Sequence, residues 1–558
     1  MKIAPTYQKL RGGYYTPKRI ADFLAQWAIQ SPTASVLEPS CGDGTLLEAS
    51  IETFLRLGSR KTDIAQQLHG IEIDPDEAAK AEERVKACGI YPASGMIHIG
   101  DFFTYCKNHL FEQSFMGSVS TEKQTFSAII GNPPFIRYQN FPEEYRDIAV
   151  NIMKQAGFKP SRLMNSWLPF LIASSMLLKP NGRLAMVIPA ELFQVNYAAE
   201  TRRFLSDFYS QITIVTFKKL VFADIQQEVV LLLGERGTTR CNGIRVLEFE
   251  NADELATHIH REFTEADLKP MDHSKEKWTQ YFLNADEIQL LRTLKNNPQL
   301  TLSGSLFSVD VGVVTGENKF FILSEQQVKD AYLGDFTKKI VSRSGHLKGT
   351  IFSETDWQTN ANAQLPAFLL HTPHIPFDGL PAALQTYVLK GEEQHFHKGY
   401  KCSIRNPWYI VPSLWRPDAF MLRQVHNYPK IVLNETDATC TDTIHRVRFF
   451  ENIDKRVVTS VFMNVLTFAF AEVTGRSYGG GVLTFEPSEV EKLLLPLRCS
   501  ENLDLFDLDK LLRKNDIKTV IEITDQILLK DGLNLDIHEI HMLHTIWEKL
   551  RNRRVRRK

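Results

Sequence analysis

The sequence predicts an α/β protein: an open, mostly parallel sheet with helices on both faces, followed by a separate α+β domain. Three observations carry this reading. Short apolar runs alternate with stretches of helical period through about residue 240. Turn formers such as Asp-Pro, Asn-Gly and Asn-Pro stand at the ends of those runs. Beyond that point the apolar runs shorten, and turns and aromatic residues become frequent.

The elements follow in order. Residues 19–29 carry a helical period. A strand at 35–38 leads through Pro39-Ser40-Cys41-Gly42-Asp43-Gly44 into a helix at 45–57. A second strand at 69–73 ends in Asp74-Pro75, a helix-start signal, before a charged helix at 76–87. Strands are expected at 97–99 and 126–130, the latter ending at Gly131-Asn132-Pro133-Pro134-Phe135. A helix at 166–178 stops at Lys179-Pro180-Asn181-Gly182, a fifth strand covers 183–188, and 212–217 with 229–233 form a closing pair. The polar stretch 251–268 reads as part of a connector over 246–300. The expected division is therefore a first domain at 1–245, a connector at 246–300, a second domain at 301–545 and a basic tail at 546–558. That tail is either a phosphate-binding arm or a disordered end.

Composition narrows the function classes. A chain of 558 residues with 43% hydrophobic and 23% charged residues is neither a disordered polymer nor a disulfide scaffold. Lys plus Arg is 65 against 66 Asp plus Glu, which excludes coating of DNA by bulk charge but not local basic surfaces. Seven scattered cysteines without a C-x-x-C pair argue against a zinc or redox motif and for a reducing compartment. No metal site is expected. Residues 1–13 lack the apolar centre of a signal peptide, and no run of 18 apolar residues predicts a membrane span. A cytoplasmic location without membrane partners is expected.

The chemistry collects at the predicted strand ends, where open α/β sheets bind ligands. Gly42 and Gly44 let the backbone approach a ligand, although such a turn alone is equally a structural feature. Glu72, at the end of the next strand in Ile71-Glu72-Ile73-Asp74, is placed to hold ribose hydroxyls, and Asp74 to cap the following helix. Asp101 and Phe102 offer an acceptor and an aromatic face to an adenine. Asn132-Pro133-Pro134-Phe135 is the most specific feature. Its prolines fix an extended loop. The Asn132 side-chain oxygen and the Pro133 carbonyl can both accept from one exocyclic amino group, while Phe135 stacks on the ring that bears it.

The order Gly13-Tyr14-Tyr15-Thr16-Pro17, the Glu38-Pro39 glycine turn, Glu72-Ile73-Asp74, Asp101-Phe102 and Asn132-Pro133-Pro134-Phe135 resembles the gamma-class, TaqI-type DNA adenine-N6 methyltransferases. Pro180-Asn181-Gly182-Arg183 and Val221-Phe222-Ala223-Asp224 resemble further motifs of that family. Pro407-Trp408-Tyr409 and Ser477-Tyr478-Gly479-Gly480-Gly481 look like its C-terminal specificity region more loosely. Phe135 stands where the TaqI enzyme has Tyr, a change that preserves stacking.

The resemblance implies a Rossmann-like class I methyltransferase domain followed by a target-recognition domain. It implies S-adenosylmethionine as cofactor, with Thr16 and Glu38 at its methionine end, Glu72 at its ribose, and Asp101 and Phe102 at its adenine. Pro17, Pro39, Gly42, Gly44, Ile73 and Asn132 would adjoin it. The substrate would be double-stranded DNA, whose target adenine flips out to stack on Phe135 and Phe222. A restriction-modification or related defence system in a bacterial or archaeal cell is implied, with a separately encoded restriction endonuclease as functional partner. A nuclease fused in front is not expected, since the first motif begins at Gly13. Similar loops serve methyltransferases of RNA bases and of protein glutamine, and a DNA-binding specificity protein with an inactive core is the other alternative. In the second domain Arg343, Lys348, Lys398, Lys401 and Arg405 lie in basic, polar or aromatic segments suited to phosphate and base contacts. His395 and His397 lack the neighbours of a metal site.

Overall fold

The computed structural model describes residues 14–91, 95–110, 125–160, 164–219, 221–222, 228–239, 241–257, 267–271, 277–478 and 480–555. The described residues fall into two compact units, divided between Ala285 and Asp286.

The first unit runs α1 (Lys18–Ala28), β1 (Val36–Glu38), α2 (Thr45–Arg56), α3 (Lys61–Gln67), β2 (Leu68–Glu72), α4 (Pro75–Ala87), β3 (Ile97–Ile99), α5 (Phe102–Leu110) and β4 (Phe126–Gly131). It continues α6 (Glu143–Gln155), α7 (Trp167–Leu177), β5 (Leu178–Pro189), α8 (Ala199–Phe208), β6 (Gln211–Phe217), β7 (Val229–Glu235), β8 (Gly243–Phe249) and β9 (Lys269–Pro270). These strands form one sheet in the order β3-β2-β1-β4-β5-β7-β6-β8-β9. The first five are parallel, and β7 inserts antiparallel between β5 and β6. This is the expected open α/β sheet with a closing strand pair.

Side-chain alternation shows why helices cover both faces. Val36, Ala128, Ile130, Ala185 and Val187 join a core cluster with Phe23, Leu24, Leu47 and Phe54 of α1 and α2. The intervening Leu37, Ile129 and Met186 are also buried, so neither face meets water. Local chemistry sets the helix ends. Asp74 accepts from Asp76 N (2.8 Å) and Glu77 N (3.2 Å), Pro75 opens α4, and acidic residues fill its first turn while Arg84 and Lys86 close the last. Every residue of α7 but Met176 is buried, as expected for a helix apolar all round.

The connector reading of 246–300 needs correction. β8 pairs parallel with β6 from Ile212↔Ile244 to Phe217↔Phe249, and β9 closes its outer edge. Trp278 and Tyr281 are buried. Arg245 and Glu248 interrupt the apolar pattern and hide a strand that lies towards the edge of the sheet.

The second unit is α+β. A five-stranded sheet contains Phe307–Val311, Ile444–Phe449, Ala419–Leu422, Ile431–Asn434 and Ile351–Phe352, and smaller sheets and helices pack around it. The segment 546–555 is not a loose tail: it completes the helix Ile537–Val555. Arg554 is buried there, donating to both Glu472 carboxylate oxygens and to Gly481 O at 2.7 Å. Residues 556–558 lie outside the described residues. Among the described residues no single helix is long and apolar enough to cross a membrane.

Candidate active site

Strand order reverses between β1 and β4, which opens a crevice at the carboxyl ends of the parallel strands. Glu38 ends β1. It is 2% exposed, and its Oε2 has no hydrogen-bond partner among the described residues. Burial, reinforced by the charges of Asp43 and Glu72, pushes its pKa well above the usual carboxylate range. The turn that follows holds Gly42 and Gly44 at φ 51° and 81°. A Cβ on Gly44 would sit 2.9 Å from Ala81 Cα of α4, whereas one on Gly42 would point into open space. Arg84 of α4 braces this turn, donating to Asp43 O (2.9 Å), Asp43 Oδ2 (2.7 Å) and Glu48 Oε2 (2.9 Å). Sequence reading missed Arg84, because nothing in a charged helix marks one residue as a brace.

At the end of β2, Glu72 Oε2 accepts from Gly42 N at 2.9 Å and Oε1 from Asp74 N at 2.9 Å. One carboxylate thus ties the first strand-end turn to the second. Ile73 beside it is 50% exposed, an apolar contact surface. At the end of β3, Asp101 Oδ1 accepts from Thr104 N (2.8 Å) and Thr104 Oγ1 (3.0 Å), and burial raises its pKa. Phe102 departs from expectation. It is 2% exposed and stacks on Phe170 with centroids 5.0 Å apart, so its ring belongs to the core. As the first residue of α5 it shares that helix's inner side with Phe103 and Cys106.

The Asn132 amide nitrogen donates to Tyr14 O (2.8 Å) and to Thr16 Oγ1 (3.1 Å). Both of its hydrogens are engaged, so Oδ1 is the atom left to accept. Thr16 is buried, and Pro17 supplies the carbonyl that accepts from Ile20 N and Ala21 N at the start of α1. Ser40 Oγ, next to Pro39, donates to Asn132 O at 3.3 Å. Pro39 packs where a Cβ on Gly131 would lie 3.2 Å away, which favours glycine there. Ser166 clamps the far side of the loop: its Oγ donates to Pro134 O, Ile136 N donates back at 2.9 Å, and Ser166 N donates to Ile136 O at 2.8 Å. No hydrogen bond to the Pro133 carbonyl forms among the described residues. Ser166 was not foreseen; a serine just ahead of an apolar helix reads only as a helix start.

Phe135 is half-buried against the core cluster that contains Phe222. Phe222 itself is 5% exposed and so presents no open face, contrary to expectation. Ala223 and Asp224 of the same motif lie outside the described residues, as does Gly13.

Residues 1–301 match the N-6 DNA Methylase family. The chain belongs to that family. Residues 275–529 match the C-terminal domain of Type II methyltransferase M.Eco57I. Both matches agree with the gamma-class resemblance, and methyl transfer to adenine N6 in DNA is the family's activity. The chain is 23% identical over 534 residues to Type II methyltransferase M.AccI of Acinetobacter calcoaceticus, covering 91% of this chain and 88% of that one. It is 24% identical over 522 residues to Type II methyltransferase M.XamI of Xanthomonas campestris pv. amaranthicola, covering 87% and 85%. In fold it is similar to the Type IIL restriction-modification enzyme MmeI, solved in complex with DNA, at a TM-score of 0.59, 12% identity and coverage of 96% and 75%.

For an N-6 DNA methylase the crevice residues fit S-adenosylmethionine. Glu38 carries a buried carboxyl oxygen in want of a donor, Gly42 faces open space, and Ile73 exposes an apolar face.

The basic segments of the second unit divide. Arg343, Lys348, Lys398 and Lys401 are exposed and form no ion pair among the described residues. Arg405 does not belong with them: its guanidinium donates to Thr315 O (2.5 Å) and Val314 O (2.6 Å), pinning a neighbouring loop. Trp408 and Tyr409 likewise pack with the apolar cluster of this unit. Gly480 and Gly481 have φ 90° and 77°, and Gly479 lies outside the described residues. Among the described residues no group of His, Cys, Asp and Glu could hold a metal ion.

Proposed function

We propose that this methylase transfers a methyl group to N6 of an adenine extruded from double-stranded DNA at a specific sequence, as the modification enzyme of a restriction-modification system. The orientation of the Asn132 amide carries the reading. Its nitrogen is held by Tyr14 O and Thr16 Oγ1, which presents Oδ1 as an acceptor beside the Pro133 carbonyl. Two acceptors on one rigid loop match the two hydrogens of an exocyclic amino group and turn the nitrogen lone pair out of the ring plane. Phe135 stacks on the base. Phe222 backs that wall from the core.

Glu38 and Thr16 would hold the methionine end of S-adenosylmethionine, Glu72 its ribose, and Asp101 with Ile73 its adenine. When bound, that cofactor supplies a methyl group on a sulfonium, a strong leaving group. Positioning by the chain's own residues then does most of the work. The catalytic unit extends to 285 rather than 245, and the second unit reads the target through Arg343, Lys348, Lys398 and Lys401. Its relatives are named Type II methyltransferases, which supports a separately encoded endonuclease as functional partner and a place in the cytoplasm.

The test is Asn132→Ala. Methylation of duplex DNA should fall steeply while S-adenosylmethionine binding, measured by calorimetry, persists. Near-normal turnover would overturn the assignment.

A further inference from the structure

The second unit contains a cavity of about 370 Å³ that the methyl-transfer reading does not use. That lies at the small end of ligand sites, roughly 300–1,000 Å³. One wall is the indole of Trp415. The Arg446 and Arg448 guanidinium carbons lie 4.5 and 4.4 Å from its ring centroid. The two arginines are two residues apart on the strand Ile444–Phe449 and so share one face of the sheet. Arg446 also donates to Ser413 O at 2.7 Å, which fixes the loop that carries Trp415. The ring is thus held in place by cations, a rigid platform rather than a loose surface tryptophan.

The polar lining points to a ligand. Thr439 lines the cavity and is 5% exposed; its hydroxyl oxygen is buried and has no hydrogen-bond partner among the described residues. A buried hydroxyl without a partner costs free energy that a bound group with a donor or acceptor removes. Lys338 also lines the cavity, is exposed, and meets no carboxylate among the described residues. Exposed Arg416 lines it too, its Nε donating to Thr436 O (2.6 Å) and its Nη2 to Asn434 O (3.4 Å), which leaves Nη1 without a partner among the described residues. Lys339 is partly neutralised, since it pairs with Glu354 and lies 3.4 Å from Asp437 Oδ1. Asp437 is the acidic member of the lining and an acceptor for amino groups.

We infer that this cavity binds a single nucleotide, with the base against Trp415, the base edge toward Thr439 and Asp437, and the phosphate at Lys338 and Arg416. A flat ring, a base edge and an anion are the three features this lining complements at once. The nucleotide is either one extruded from the substrate duplex or a free mononucleotide. The inference rests on the DNA reading only for the first of these sources.

Saturation-transfer NMR and calorimetry on the full chain with dAMP, dCMP, dGMP and dTMP test it, alongside steady-state methylation of duplex DNA. At least one of the four nucleotides should bind. Trp415→Ala should weaken that binding about tenfold or more, the scale of a lost stacking contact. Thr439→Val should alter the preference among the four bases. The double variant Asn132→Ala/Phe135→Ala should bind the nucleotide as wild type does, which separates this cavity from the catalytic crevice. Lys338→Glu, on an exposed side chain, repeats the loss should Trp415→Ala fail to fold. A raised KM for duplex DNA in the Trp415 and Lys338 variants assigns the nucleotide to the substrate, and an unchanged KM with lost nucleotide binding assigns it to the free pool. Nucleotide binding and KM both equal to wild type in these variants overturn the proposal. A wild-type chain that binds nucleotide here but methylates no DNA refutes the functional reading and leaves the cavity standing.

Discussion

The side-chain amide of Asn132 donates to the hydroxyl of Thr16, 116 residues earlier in the chain, at 3.1 Å. The residue expected to orient the target amino group is therefore itself oriented by the segment just ahead of α1. Thr16→Val keeps the shape but leaves a half-buried N–H without its acceptor, at a cost of up to about 1–3 kcal/mol. The amide is then held by Tyr14 O alone, which weakens its fixed orientation. We expect kcat for methylation to fall about tenfold or more, with Thr16→Ser close to wild type. Single-turnover assays at saturating cofactor check this, and equal rates for Thr16→Val and wild type would refute the positioning role.

Phe135 is half-buried, so one side of its ring packs on the core and the rest is available to a base. Phe135→Ala should lose about 1–3 kcal/mol of stacking, while Phe135→Tyr and Phe135→Trp retain most activity. A fluorescent base analogue at the target position reports unstacking directly. Equal signals from wild type and Phe135→Ala would remove Phe135 from the base-holding role.

The strand ends of the first unit were legible because turn chemistry marks them: Asp74-Pro75 starts a helix, and Asn132-Pro133-Pro134 must be an extended loop. What stayed hidden is which polar atoms are already engaged. Phe102 and Phe135 both follow a strand end as aromatics, yet one is buried against Phe170 and the other is not. Arg405 and Lys401 sit in one basic segment, yet Arg405 is tied to two carbonyls. Residue type and spacing carry no record of such partners. β8 lacks a legible strand period for a related reason, since Arg245 and Glu248 interrupt it.

Arg554 and Glu472 form a charged pair whose side chains are each 3% exposed. Burial lifts the Glu472 pKa, and Arg554 opposes that lift. Arg554→Leu leaves a buried acid alone and should destabilise the second unit by about 3–5 kcal/mol. Glu472→Leu combined with Arg554→Leu should recover much of that loss. Thermal unfolding of the three chains decides it, and a single variant as stable as wild type would show that the pair is not what holds the last helix.

Lys430 is buried, and its ammonium donates to Leu347 O (2.9 Å), Lys348 O (3.0 Å) and Gly349 O (3.0 Å). Burial lowers its pKa from 10.5 to about 8, with Asp509 opposing the drop. Below the lower value Lys430 is protonated whether folded or unfolded, so its contribution does not change with pH. Between the two values the unfolded chain binds the extra proton, so this group adds stability as pH rises. The stability difference between wild type and Lys430→Met should therefore grow in favour of wild type from about pH 8 towards 10.5. Urea titrations across that window check the sign; a difference that shrinks or stays flat would contradict the depressed pKa.

Lys401 and Arg405 separate two ways in which a basic residue can matter to DNA binding. Lys401 is exposed, its ammonium 5.6 Å from the Tyr400 ring centroid. If it neutralises a phosphate, Lys401→Ala should lower the slope of log affinity against log salt by about 0.9. Its thermal unfolding should match wild type. Arg405 acts through the loop it pins, so Arg405→Ala frees the Thr315 and Val314 carbonyls at a cost of about 1–3 kcal/mol. Its melting temperature should fall, while the salt slope of the chain that remains folded stays that of wild type. Gel-shift titrations on a methylatable duplex at several salt concentrations, paired with melting curves, distinguish the two. A reduced salt slope for Arg405→Ala at unchanged stability would return that residue to the DNA-contacting set.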